Sequence, residues 1–325
     1  MRTATRLSRS GLTLLELLLV VFILSLLAFS AVSLTNTLDE QMRFEETRSR
    51  LEQIKKAVIG RPDKALNGQA VVDGFVADIG RLPNSLQELL LPGTLPAWQY
   101  DSAKRLWAGW RGPYLQSMPL SNGATAYYDG WGNIGPAPDF GWSFQLSGQS
   151  LFVQSFGSDG LDDGATPPTT EYARDYPPDG SSFIQPYDHQ LNIRGWTVTV
   201  KFDNPLGGGG SLPSSTEELR LRLYYPQEGT LDWPANWPST DAERDQQPYL
   251  SARLTLAANE VADGATVEKV FTFETGVDKF VPWGIRSLAV VRDSDGSLFP
   301  AGQPHVTTLL PRTQLAPITM LWNLE

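Results

Sequence analysis

Two groups of carboxylates in this chain have a setting that could do chemistry. Glu16 interrupts the apolar run Leu12-Thr13-Leu14-Leu15-Glu16-Leu17. A carboxylate at the centre of an apolar membrane span costs about 2.5–3.5 kcal/mol, and such groups persist where a cation partners them. Asp159, Asp162 and Asp163 fall within five residues, interleaved with Gly157, Gly160 and Gly164, and Asp175 and Asp179 follow. A glycine-rich loop lets several carboxylates and carbonyls converge, as calcium requires with its six to eight oxygens. The competing reading is a solvated turn in which aspartates favour irregular backbone. The spacing does not fit an EF-hand, which needs a twelve-residue loop closed by glutamate.

Other chemistries are narrowed by composition. The chain has no cysteine and two histidines, His189 and His305, which excludes thiolate metal sites and multi-histidine centres. Neither histidine lies in a Gly-x-Ser-x-Gly context, so the sequence predicts a protein that is not an enzyme. Only a carboxylate pair of the glycosidase kind stays open, because spatial pairing is invisible in sequence. The net charge is −10, and loss of the three arginines ahead of Gly11 lowers it to −13. Such a surface repels phosphates, so no nucleic-acid partner is expected.

The elements that must position these groups begin with a basic leader of Arg2, Arg6 and Arg9 ending at Gly11. Leu17 to Leu34 carries no charge. Eighteen helical residues rise about 27 Å, close to a bilayer's hydrocarbon thickness. Arginine before this run and Asp39 and Glu40 after it predict one membrane pass, with the N-terminus cytoplasmic and the body periplasmic. The helical pattern then continues through Leu38, Met42, Leu51, Ile54 and Val58 to Gly60-Arg61-Pro62, where proline stops it. A secretory signal cleaved near Ala28-Phe29-Ser30 and a plain signal anchor are the simpler readings. Neither accounts for glycine directly before the apolar run with glutamate five residues on.

That N-terminal arrangement resembles a type IV prepilin leader. The resemblance implies a prepilin peptidase that cuts between Gly11 and Leu12 and N-methylates Leu12. It also implies that Glu16 pairs with a neighbouring subunit's N-terminal amine during assembly. The family usually has phenylalanine where this chain has Leu12. Further on, Gly80-Arg81-Leu82-Pro83, Gly112-Pro113-Tyr114-Leu115, Asp129-Gly130-Trp131-Gly132-Asn133 and Ser158-Asp159-Gly160 follow in order. This series resembles the head of the major pseudopilin of type II secretion systems, over residues 11–165. It implies calcium in the acidic loop, with Asp159 in the family's aspartate position and Asp162, Asp163 and Asp175 as the other ligands. Two departures are an insertion at 92–111 carrying Trp98, Trp107 and Trp110, and Gly130 where the family has proline.

Period-2 patterns fill the rest. Trp142 to Gln154 reads as a hairpin turning at Ser147-Gly148-Gln149-Ser150. Beyond the Pro- and Asp-rich stretch 167–180, Trp196-Val198-Val200-Phe202 and Leu219-Leu221-Leu223-Tyr225 open a series of about seven short strands, a β-sandwich pattern. The expected fold is α+β. A long N-terminal transmembrane helix packs on a small antiparallel-sheet pilin-like head, followed by an all-β sandwich-like domain. The expected boundaries are 1–11 leader, 12–60 helix, 61–185 head and 186–325 sandwich. The expected function is a pilin-like structural subunit, a pseudopilin, of a type II secretion or type IV pilus-type filament. Its partners would be prepilin peptidase, other pilin-like subunits and an inner-membrane assembly platform. The alternative is a filament-tip binding protein whose C-terminal β domain recognises a surface, polymer or exported substrate.

Overall fold

The computed structural model describes residues 14–324 apart from 62, 67, 121–122, 124, 165–166, 179–182, 208, 233–235, 275, 301 and 312–314. Gly11 and Leu12, the expected processing site, lie outside the described residues. Helix α1 spans Leu14–Ile59, 46 residues without a glycine or proline to break it. Its exposed flank carries the i,i+4 ion pairs Asp39–Arg43 and Glu46–Arg50, each at 2.9 Å. Burial begins at Thr47 and continues through Leu51, Ile54, Ala57 and Val58, one helical face. The helix stops at Gly60, whose φ of +68° suits a left-handed cap. A Cβ there would lie 1.9 Å from the Asp73 carbonyl oxygen, so the chain can double back only over a glycine.

The expected fold class, membrane span and localisation are corrected by this structure. The body is mostly β, and the helices other than α1 run from four to six residues. Among the described residues no helix is long and apolar enough to cross a membrane. Glu16 places a carboxylate in the first turn of α1. From Asp39 onward the helix is highly charged. A single-pass inner-membrane placement, with a cytoplasmic N-terminus and periplasmic body, therefore does not follow from α1.

After α1 come the minimal ladder β1 (Ala65–Leu66) with β2 (Gln69–Ala70), then α2 (Phe75–Ile79) and α3 (Gln87–Leu90). All five residues of α2 are buried. The Trp-rich insertion folds as a hairpin, β3 (Gln99–Asp101) against β4 (Leu106–Ala108). Another short ladder pairs β5 (Met118–Pro119) with β6 (Thr125–Ala126). The hairpin expected at 142–154 is present as β7 (Trp142–Ser147) and β8 (Ser150–Ser155), and β8 lies against α1.

The Asp129-Gly130 turn also docks on α1. Arg50 donates to the carbonyls of Tyr128 and Asp129 at 2.7 Å, and Gly130 N–H donates to Thr47 Oγ1 at 3.0 Å. A Cβ at 130 would lie 2.2 Å from the Arg43 carbonyl. Proline at this position would lose that hydrogen bond and collide with the helix.

The C-terminal region follows with α4 (Pro186–His189), β9 (Gln190–Asn192), β10 (Thr197–Asp203), β11 (Glu217–Tyr224) and α5 (Asp241–Gln246). Then come β12 (Leu254–Leu256), β13 (Thr266–Thr272), β14 (Phe280–Pro282), β15 (Gly284–Arg292), β16 (His305–Leu309) and β17 (Ile318–Asn323). One sheet is ordered β13-β10-β17, with β10 and β17 parallel. The other is ordered β12-β11-β15-β16 and is antiparallel throughout. Val198, Val200 and Phe202 of the first and Leu219, Leu221, Leu223, Leu288 and Val290 of the second join one continuous core. The alternation in β11 predicts a solvated face at Arg220 and Arg222. Both are nevertheless buried. Arg220 pairs with Asp293, with Asp245 at 2.6 Å and with the Ser251 carbonyl at 2.8 Å.

Candidate functional site

Three places bear on function: the start of α1, the acidic loop, and the junction between α2 and the C-terminal sheet. At the start of α1 the large apolar side chains are exposed, from Leu14 at 83% through Phe22 at 62% to Phe29 at 78%. Large contiguous apolar surface of this kind marks an interaction site on a folded protein. Glu16 sits in the first turn, where a carboxylate complements the positive end of the helix dipole. Farther along, from Thr47 to Ile59, the helix is anchored in the body. The same helix thus has a docked part and a projecting apolar part.

In the acidic loop the structure brings together two of the four expected ligands. Asp163 and Asp175 exchange backbone hydrogen bonds, each N–H donating to the other's Oδ2, at 3.2 and 2.9 Å. Asp163 Oδ1 is buried without a hydrogen-bond partner. Asp159 and Asp162 are spent locally, accepting from Leu161 N–H at 3.1 Å and Gly164 N–H at 2.9 Å. Among the described residues no group of three or more carboxylates and histidines is arranged to hold a metal ion. Of the four expected ligands, only Asp163 and Asp175 are joined to each other. The loop is tied to the Asp129 turn by Asn133, whose Nδ2 donates to Asp129 Oδ2 at 2.8 Å and to the Gly157 carbonyl at 2.7 Å.

The junction is where sequence reasoning missed the most. Asp78 of α2 is buried, which pushes its carboxyl up to about 6 against the pull of Arg111 and Tyr114. Arg111 Nε and the Tyr114 hydroxyl both donate to Asp78 Oδ2 at 3.0 Å. Beside it, Arg286 of β15 is fully buried, and desolvation lowers its guanidinium to about 9. It donates to the carbonyls of Pro282 at 3.0 Å, Ile285 at 2.8 Å and Trp283, and across the junction to Ala77 at 3.1 Å. Gly229 N–H reaches the Ile79 carbonyl at 3.0 Å, and Arg81 spans Glu88 at 2.7 Å and Glu228 at 2.6 Å. A signal was present in the sequence, since Asp78 and Arg286 each interrupt an apolar run, but nothing local says that they face one another.

The Trp-rich hairpin β3–β4 belongs to the same junction and packs on β15. Trp98 and Trp107 stack at 5.6 Å with ring planes 9° apart, Tyr100 meets Trp107 at 5.2 Å, and Arg111 lies 5.0 Å over Trp98. A cavity of about 300 Å³ lies between this stack and Ile285 and Val306 of the sheet. Buried His189 bonds the Gln149 carbonyl through Nε2 at 2.9 Å, and His305 opens β16. No family model, curated protein or solved structure matches this chain.

Proposed function

We propose that this protein is a pilin-like filament subunit that joins copies of itself or sister subunits through the projecting part of α1. The observation that supports this is the division of one helix into a docked face and an exposed apolar rod. Residues 14–30 bury nothing against the body, whereas Leu51, Ile54 and Val58 are buried in it. Packing several such rods side by side removes their apolar surface from water, at about 25 cal/mol per Å². The resemblance of residues 11–165 to pseudopilins adds processing after Gly11, N-methylation of Leu12 by a prepilin peptidase, and a register contact from Glu16 to a neighbour's amine. In the same reading calcium would be held at Asp163 and Asp175, where it would neutralise two converging carboxylates.

The test uses the absence of cysteine. Single cysteines at Leu17 and Leu24 should cross-link between copies under mild oxidation, whereas a cysteine at the buried position Ile54 should not. Mass spectrometry of material from the native host should find N-methyl-Leu12 as the first residue. Glu16→Gln should leave that cleavage intact and reduce cross-linking. A mature N-terminus elsewhere, or no cross-links at 17 and 24, would sink the proposal.

A further inference from the structure

We infer that the free edge of β16, with the aromatic cavity beside it, is a docking site for an extended polypeptide segment that is acidic and carries a bulky apolar residue. The inference does not rest on the filament reading, since none of these residues is in α1.

The backbone is the first ground. β16 closes the order β12-β11-β15-β16, and among the described residues no strand pairs with its other side. An open edge presents a row of N–H and C=O groups that an added strand satisfies. Natural edges are usually blunted by lysine, proline or a bulge. His305-Val306-Thr307-Thr308-Leu309 has none of the three.

The side chains on that edge are the second ground. Val306 and Ile285 face the cavity, whose opposite wall is the Trp98–Trp107 stack. Trp107 is 49% exposed and Val306 41%, so the cavity opens beside the strand that an incoming segment would pair with. Its about 300 Å³ is at the small end for ligand pockets and suits one large side chain better than a whole cofactor.

Charge selects the partner. In a chain of net charge −10, Arg105 places a guanidinium at this edge, lining an adjoining cleft with Gln303, His305 and Asn323. Arg105 bonds Gln303 Oε1 at 3.2 Å, a neutral partner. Its backbone φ is +53°, a left-handed conformation that arginine seldom takes. The hairpin turn thus spends a strained position on holding this guanidinium over the cleft. A carboxylate one or two residues from the anchored side chain would meet it.

The experiment is calorimetry on the full chain with the synthetic peptide Thr-Glu-Thr-Phe-Thr-Glu-Thr. Binding with a Kd below about 1 mM is expected. Replacing the peptide's Phe by Ala, N-methylating its alternate amides, Trp107→Ala and Arg105→Asn should each weaken it by about tenfold or more. Asparagine tolerates positive φ, so Arg105→Asn should melt at the same temperature as the parent and isolate the guanidinium's role. No binding at millimolar peptide, or binding indifferent to Arg105→Asn, would overturn the inference. So would preference for an oligogalacturonate over the peptide, which would give the cavity to an acidic saccharide.

Discussion

The two ends of α1 solve opposite problems with the same helix. Toward Ile59 the apolar positions Leu51, Ile54 and Val58 are buried, and Arg50, Thr47 and Gly130 bolt the helix to the head. Toward Leu14 apolar residues occur all round the helix, and among the described residues 14–30 none is covered. A helix apolar on every side is one that expects neighbours on every side. On the proposed reading the docked end belongs to folding and the projecting end to association, and the two should separate under mutation.

The sharpest separation is by deletion. Removing residues 14–35 should leave the body's melting temperature within about 2 °C, because residues 14–30 are all exposed. Removing 186–325 should abolish cooperative melting of the remainder altogether. The five buried residues of α2 would lose β15, and the β3–β4 hairpin would lose the sheet it lies on. Thermal circular dichroism with limited proteolysis reads both. A fragment of residues 36–185 that melts cooperatively would show the head to be self-sufficient and the C-terminal region a true appendage.

Point substitutions make the same contrast more finely. Ile54→Ala, at a fully buried position, should cost about 2–5 kcal/mol in urea unfolding. Leu24→Ala, 59% exposed, should change stability by less than about 0.5 kcal/mol and show its effect only in association. Equal losses at the two sites would mean that the projecting part also packs on the body.

The junction adds a pH signature confined to the docked region. Asp78 has a folded pKa of about 6 against an ordinary 3.8, so the folded state holds a proton that the unfolded state has released between those values. Its contribution is greatest below 3.8 and is lost as pH rises through 6, a change on the order of 2–3 kcal/mol. Asp78→Asn should flatten that limb of the stability profile, while deletion of residues 14–35 should leave it. Buried Lys279 works at the other end of the scale, desolvated down to about 8 although three carbonyls accept from its Nζ. Its charge costs stability below that value, and the cost is relieved as pH rises toward 10.5.

How far the sequence could be read follows the range of the interactions. The long helical pattern, its stop at Gly60, the β7–β8 hairpin and the alternation of β10 and β11 are local, and they are legible in residue order. The second buried face of β11 is not, because Arg220 is accommodated by Asp245 and Asp293, which are distant in sequence. The Trp-rich insertion reads as an interruption of a pseudopilin-like head. In space it is the platform that receives the C-terminal sheet. The membrane span expected from the uncharged run Leu17 to Leu34 is not found, since among the described residues no helix is long and apolar enough to cross a membrane. In the acidic loop, composition marks the right segment, but only folding shows which aspartates are already occupied.

That loop gives the smallest and most discriminating effect. Asp159 and Asp162 each accept a backbone N–H two residues ahead, the ordinary Asx-turn use of an aspartate. Asp163 and Asp175 instead converge on each other, and Asp163 Oδ1 is left buried without a hydrogen bond. On the proposed reading that calcium is held at this pair, calcium at about ten times its Kd should stabilise the chain by about 1.4 kcal/mol. For a chain of this size that is a rise of a few degrees in Tm, on the order of 3 °C. Asp163→Asn should remove the calcium response, and Asp159→Asn should keep it. The response should also survive deletion of residues 14–35, since residues 14–30 are exposed. If calcium does not shift the parent's melting at all, the Asp163–Asp175 pair is a hydrogen-bonded clasp that closes the loop unaided. The reciprocal backbone bonds are then its whole purpose.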